Sequence, residues 1–255
     1  MAGKTVIVWT CAHSDPKVSN ERFDWLGRLI YDIRPDYCVD LGDFWDMRSL
    51  NTYDTRYPES YSAQSYEKDI DHGNDAQERI RHVIKKNKVK RPSYFGFEGN
   101  HEYRIKKAIK VDPRLAGDKH GISFSHLETG RWYDDYHEYE HDAPAVATYD
   151  GVDYAHYISG GNYGTALSGE HHAYNLLKKR MNSATVGHSH KRNIYFRDDA
   201  KKIGLVAGCF TGAPESWAGQ ANDEWAVGVW VLRNLENGFY EPQWISIQAL
   251  EEEYA

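Results

Sequence analysis

Two short strings hold the side chains with the most capacity for chemistry, Gly99-Asn100-His101-Glu102 and Gly187-His188-Ser189-His190. Gly42-Asp43-Phe44-Trp45-Asp46 and Cys11-Ala12-His13 have the same setting. Each follows an apolar run that reads as a strand, at residues 94–97, 184–186, 37–41 and 5–9 respectively. A side chain on the turn after a strand is held in place by a rigid sheet. Asp, Asn, His and Cys gathered at four such turns make a donor set for two divalent cations. Two cations about 3.5–4 Å apart clamp the oxygens of a phosphate ester and lower the pKa of a bound water. A bridging carboxylate holds like charges that close, and Asp43 is the candidate. Neutral imidazoles and an amide oxygen complete each shell without overcharging it. His13, His156, His188 and His190 all follow β-like segments, whereas His72, His82, His120, His126, His137, His141, His171 and His172 lie in polar or helical stretches. The latter group reads as surface residues, with His171 and His172 opening a helix.

In this order the blocks resemble the calcineurin-like metallophosphoesterases, whose pattern runs D-x-H, G-D-x-x-D, G-N-H-E, a lone His after a strand, and G-H-x-H. The resemblance matches four of these five blocks and extends to about Lys191. It implies a four-layer α/β/β/α sandwich of two mixed sheets flanked by helices. It further implies that Asp43 bridges two divalent metals, with His13 and His190 on the first and Asn100, His156 and His188 on the second. His156 taken alone is an ordinary polar residue, and it becomes a ligand candidate because the other blocks leave one imidazole missing. His101 would lie beside the metals and protonate the leaving oxygen. Asp46 would hold the other ring nitrogen and favour the charged imidazole; its alternative reading is a helix cap. Glu102 would support the turn. Arg48 stands one position later than the phosphate-binding Arg of related protein phosphatases.

The departure is Cys11, where the family's first block has Asp. A thiolate binds zinc or iron well and shifts preference away from magnesium, so the expected metals are Mn, Fe or Zn. The alternative is a small buried residue beside a weakened first site, since free Cys is among the most buried residue types. Asp15 offers a carboxylate nearby, but Ser14-Asp15-Pro16 reads as a turn.

The function so implied is a two-metal hydrolase of phosphate esters. A phosphodiester is favoured over a monoester because Met47 breaks the protein-phosphatase Arg pattern. A nucleotide or nucleic acid substrate fits the basic stretch 79–86 and the many aromatics, on which bases stack. Small-molecule diesters are equally open, and the basic stretch also reads as a solvated helix face. The competing class is a catalytically degenerate binding or scaffold protein on the same fold; Cys11 favours it, while the intact Asn100 and His101 oppose it.

The 255 residues are expected to form one domain, with insertions at about 51–90 and 113–142. The second insertion, rich in Tyr, His, Asp and Glu, has room to cover the metals or to form an oligomer contact. A formal charge of −7 does not suit a dedicated duplex-DNA binder. Three widely spaced Cys, no long apolar run and no secretory-type leader point to a cytoplasmic protein with no membrane span.

The elements that must position the site alternate from the start. Residues 21–32 form an amphipathic pattern with Phe23, Leu26, Leu29 and Ile30 inward, capped by Ser19 or Asn20 and ended by Pro35. Residues 60–88 read as a polar helix and about 169–180 as another. Strands are expected at 194–196, 202–207, 225–232 and 243–247, with a turn at Asn237-Gly238.

Overall fold

A computed structural model describes residues 3–51, 65–160, 164–214 and 216–255. The insertion expected at 51–90 thus falls partly, at 52–64, outside the described residues. The first apolar run forms β1 (Lys4–Trp9), whose side chains alternate between two buried faces. Val6 and Val8 point one way and Ile7 and Trp9 the other, which is why the run is apolar without interruption. The larger sheet has the order β11 (Phe239–Ser246), β10 (Gly228–Glu236), β1, β2 (Tyr37–Asp40), β3 (Ser93–Phe97) and β4 (Asp135–His137). Strands β1 to β4 run parallel, and β10 and β11 join antiparallel. The smaller sheet has the order β5 (Ala147–Tyr149), β6 (Val152–Ala155), β7 (Ser183–Val186), β9 (Lys202–Ala207) and β8 (Arg192–Arg197). Its β6, β7 and β9 are parallel.

The sheets pack face to face, with Val6, Val8, Val39 and Leu41 meeting Val152, Tyr154, Ile203 and Leu205. The outer face of the larger sheet is covered by α1 (Glu21–Ile33), α2 (Tyr66–Lys86) and α6 (Ile247–Tyr254), through Phe23, Leu26, Ile80 and Leu250. The smaller sheet is covered by α5 (His172–Lys179), whose Ala173 and Leu176 lie on Ala184, Val186 and Val206. These are the four layers expected. Two further helices, α3 (Tyr103–Val111) and the single-turn α4 (Thr129–Trp132), follow β3.

Several local expectations change. Asn20 stands at the start of α1 but does not cap it; its amide donates to the His72 carbonyl and Asp75. The final strand gives way to α6, capped by Ser246 Oγ accepting from Ala249 N. The aromatic run 132–136 does not cover the site. Trp132 and Tyr133 are buried in the core, and β4 extends the sheet edge. The basic stretch is mostly paired at the surface, except for Arg81, which is buried, donates to the Trp132 carbonyl and lies 4.3 Å from the Tyr94 ring centroid. His172 is buried rather than exposed. Asn237 and Gly238 both take positive φ, as a two-residue hairpin requires.

Candidate metal centre

The loops leaving β1, β2, β3, β6 and β7 meet at the carboxyl ends of these parallel strands, where open α/β sheets place their ligands. Six non-glycine residues there, Cys11, His13, Asp43, Met47, His188 and His190, occupy the left-handed region. Each such residue costs about 1 kcal/mol or more, and strain of this kind gathers where side chains must be aimed rather than packed. Gly99 is required by closeness, since a Cβ there would lie 2.2 Å from Asp43 Oδ1. Glu102 fastens two of the loops together. Its buried carboxylate accepts from the backbone N–H groups of Asp43 at 3.0 Å, Phe44 at 2.5 Å, Trp45 at 3.0 Å and Gly99 at 2.9 Å. Burial and the nearby Asp43 push its carboxyl well above the usual range.

On one side, His156 Nδ1 lies 2.8 Å from the Leu41 carbonyl oxygen, which can only accept, so Nδ1 carries the hydrogen. Nε2 then points at Asn100 Oδ1 at 3.1 Å, Asp43 Oδ2 at 3.2 Å and His188 Nδ1 at 3.2 Å. In the neutral ring, the lone pairs of Nε2, Asn100 Oδ1 and Asp43 Oδ2 face one another here without a hydrogen between them. A cation relieves that, and donor atoms at about 2.1 Å from one cation stand roughly 3.0–3.4 Å apart. Burial, and then His156, depress the His188 pKa to about 4, which keeps it a neutral donor. Burial alone would raise the Asp43 carboxyl, but His156, His101 and His13 outweigh it and hold it well below the usual value.

On the other side, His13 Nε2 and His190 Nε2 are 3.1 Å apart, and Cys11 Sγ joins them within 4.8 Å. The same sulfur lies within 4.8 Å of Asp43 and His156 donor atoms, so it is common to both clusters. Burial and Asp43 push the Cys11 thiol well above its ordinary pKa, while Thr10 Oγ1 and the His188 N–H, each at 3.2 Å, ease the anion. Burial and His13 hold His190 neutral. The donor set therefore fits a divalent cation, which would also deprotonate the thiol.

Asp46 stands behind both groups. Its Oδ1 lies 3.0 Å from His13 Nδ1 and 2.9 Å from His101 Nδ1, so one carboxylate orients two rings. Burial works against its charge, and the hydrogen bonds from His101 and His13 more than offset it. His101 Nε2 faces the Arg104 guanidinium at 3.1 Å. Arg104 also donates to the Asp46 carbonyl at 2.8 Å. The sequence marks its place in the site only as three residues beyond His101 at a helix start. Arg48 pairs with Asp15 at 3.0 Å and lies 3.7 Å from Asp46 Oδ2, and Asp15 stays outside both clusters. Arg22, which no sequence pattern singles out, is buried in α1 and donates to the Ala12 carbonyl at 2.8 Å and the Phe210 carbonyl at 3.1 Å, bracing the first loop. Beside Asn100, His188 and Arg104 the centre opens into a cavity of about 650 Å³.

The architecture is that of two packed mixed sheets with helices outside and a polar centre at the strand ends. No protein-family model matches the sequence, and no curated protein matches it. Among solved structures the chain is similar to a single mutant of Vps29 from Entamoeba histolytica, at 10% identity and a TM-score of 0.41, over 95% of this chain and 98% of that one. It is similar to a dimetal phosphatase from Danio rerio at 8% identity and a TM-score of 0.46, over 97% of this chain and all of that one (100%). Wild-type Vps29 complexed with Zn, also from Entamoeba histolytica, matches at 12% identity and a TM-score of 0.31, over 66% of this chain and 89% of that one.

Proposed function

We propose that this protein is a metal-dependent hydrolase of phosphate esters, of the calcineurin-like metallophosphoesterase kind. The observation that carries the reading is the convergence of Asn100 Oδ1, Asp43 Oδ2 and His188 Nδ1 on the buried His156 Nε2. Asp43, Asn100, His156 and His188 would hold one divalent cation, and Cys11, His13 and His190, with Asp43 between, the other. Bound there, the cations supply positive charge for the phosphoryl oxygens and lower the pKa of water.

The chain's own groups do the rest. Asp46 fixes the ring of His101, which protonates the leaving oxygen from Nε2. Because a guanidinium only donates, Nε2 is unprotonated while Arg104 faces it; once Arg104 turns to the substrate's phosphoryl oxygens, Nε2 takes a proton from water and can pass it to the leaving oxygen. A phosphodiester is favoured because Met47, directly after Asp46, breaks the protein-phosphatase Arg pattern, and the adjoining cavity has room for an ester's organic group. A nucleic acid is less well supported than the composition suggests: Arg79 is paired with Asp24 and Asp75, Arg81 is buried, and Trp9, Trp25, Trp45, Trp132 and Trp230 lie in the core. We assign the whole chain to one domain, because the two sheets share one interior. No helix among the described residues is long and apolar enough to cross a membrane. Three free cysteines fit a reducing, cytoplasmic setting.

A binding protein on the same fold is the second reading, and the buried Cys11 thiol is the observation in its favour. Metal analysis of the purified protein, paired with assays on bis(p-nitrophenyl) phosphate and p-nitrophenyl phosphate, separates the two. A hydrolase carries about two equivalents of metal and turns over the diester faster than the monoester. Protein saturated with metal that hydrolyses neither ester is the binding protein.

A further inference from the structure

The cavity beside the centre extends beyond the hydrolytic groups. Asn100 and His188 form its inner end, and one face of α3 carries Arg104, Lys107, Ala108 and Val111 along it. The last three stand three, four and seven residues beyond Arg104, the spacing of a single helical stripe. From Arg104 to Val111 the stripe runs about 10 Å, at ~1.5 Å per residue. It passes from cationic near the centre to aliphatic away from it. Val111 is 82% exposed and Leu115 is 42% exposed, although both line a cavity. Apolar side chains that exposed on the wall of a concave site are poorly explained by the fold alone. Lys107, one turn out from Arg104, has no carboxylate partner among the described residues.

We propose that this cavity is the subsite for the organic part of the substrate, and that this part is an elongated aliphatic group. The inference rests on the phosphoesterase reading and narrows its substrate class to amphiphilic phosphate esters. Arg104 and Lys107 face the anionic end, while Ala108, Val111 and Leu115 cover the chain. A nucleoside suits these walls less well. The outer wall offers few hydrogen-bonding edges for a base, and its Asp112 is already held by Arg114 at 2.8 Å. Of the two rings that line the cavity, Tyr103 has one face stacked on Tyr139 at 4.8 Å, and Tyr157 stands at the inner end, 5.0 Å from the His188 ring, not along the outer wall.

The test is equilibrium binding of methyl-, hexyl- and decylphosphonate to the metal-loaded protein by calorimetry, which needs no turnover. A chain lying in the groove gains about twofold per methylene when half buried, so hexylphosphonate binds at least ~10-fold tighter than methylphosphonate. Val111→Asp and Leu115→Asp, both at exposed positions, each lower that ratio towards one. Equal affinity for all three phosphonates overturns the inference, as does a ratio unchanged in both variants. Tighter binding of a nucleoside phosphonate than of decylphosphonate assigns the cavity to a base and also overturns it. A dimer that Val111→Asp converts to monomer makes the cavity a contact between copies, which overturns it as well. The two readings fail separately: chain-dependent binding without hydrolysis of any ester keeps the subsite and discards the hydrolase, whereas diester hydrolysis with flat binding does the reverse.

Discussion

Asp43, Asn100, His156 and His188 present two oxygens and two ring nitrogens, whereas Cys11, His13 and His190 present a sulfur and two nitrogens. The two halves also differ in what stands behind them. His156 is oriented by a backbone carbonyl, that of Leu41, which directly follows β2, is tied by its own N–H to the Trp9 carbonyl of β1, and has no charge to share. His13 is oriented by Asp46, the same carboxylate that holds His101. The harder half is thus tied to the scaffold, and the softer half is tied to the proposed proton donor. A disturbance in the first should stay local, while one in the second should reach the chemistry of the leaving group.

The largest effect is expected from His156→Ala, which removes the nitrogen around which Asp43, Asn100 and His188 converge. One of two equivalents of metal should be lost and turnover should fall by about 10³-fold or more, read by elemental analysis and diester kinetics. Full metal content in this variant would show that the harder half is not a ligand set.

Next comes the proton donor. His101→Ala should leave both metals in place and slow turnover by about 10²–10⁴-fold for poor leaving groups, and much less for nitrophenol, which departs without a proton. Asp46→Asn should slow turnover less but also weaken the softer half by about 10–100-fold, because it frees His13 as well. If only turnover changed, the coupling through Asp46 would be refuted.

Cys11 sharpens the comparison further. As a ligand, Cys11→Ser should release the softer-half metal, and Cys11→Asp should restore it with a preference shifted towards manganese. As a buried bystander the order reverses. Serine is then nearly harmless, and Asp, forced into a site where burial already disfavours charge, lowers the melting temperature. Metal stoichiometry and melting curves for the three proteins decide.

The smallest effect separates a ligand histidine from a structural one. His172 is buried outside both halves, and burial depresses its pKa to about 4. Above pH 6.5 neither folded nor unfolded chain protonates it. Below that, the unfolded chain binds a proton that the folded one refuses, so stability falls as pH drops from about 6.5 to 4. His172→Leu should lose less stability over that window than wild type, by no more than about 3 kcal/mol, in urea unfolding at pH 7 and pH 4.5. Equal losses would mean that this ring is free to charge in the folded state.

Much of this is legible in the amino-acid order. Runs such as Val6-Ile7-Val8-Trp9 are buried on both faces and mark strands by content alone, and the polar strings follow them directly. The convergence of five loops rests on those strands being parallel, which the strand–helix–strand order leads one to expect. Arg104 and Arg22 escape such a reading because a helical Arg looks solvated unless its partners, here backbone carbonyls far along the chain, are known. The aromatic run 132–136 misleads for a related reason. Polar neighbours such as Asp134 and Asp135 suggest a surface, yet Trp132 and Tyr133 fill the space beside Arg81 and Gln77. The polar neighbours of His172 suggest a surface too, although it faces the core from the first turn of α5.

The most direct measurement is anomalous diffraction from crystals of the protein saturated with manganese or zinc. Two peaks about 3.5–4 Å apart are expected, one within bonding distance of Asp43, Asn100, His156 and His188 and the other of Cys11, His13 and His190. A centre without a peak at saturating metal, or a single peak held by neither set, would contradict the two-cation site.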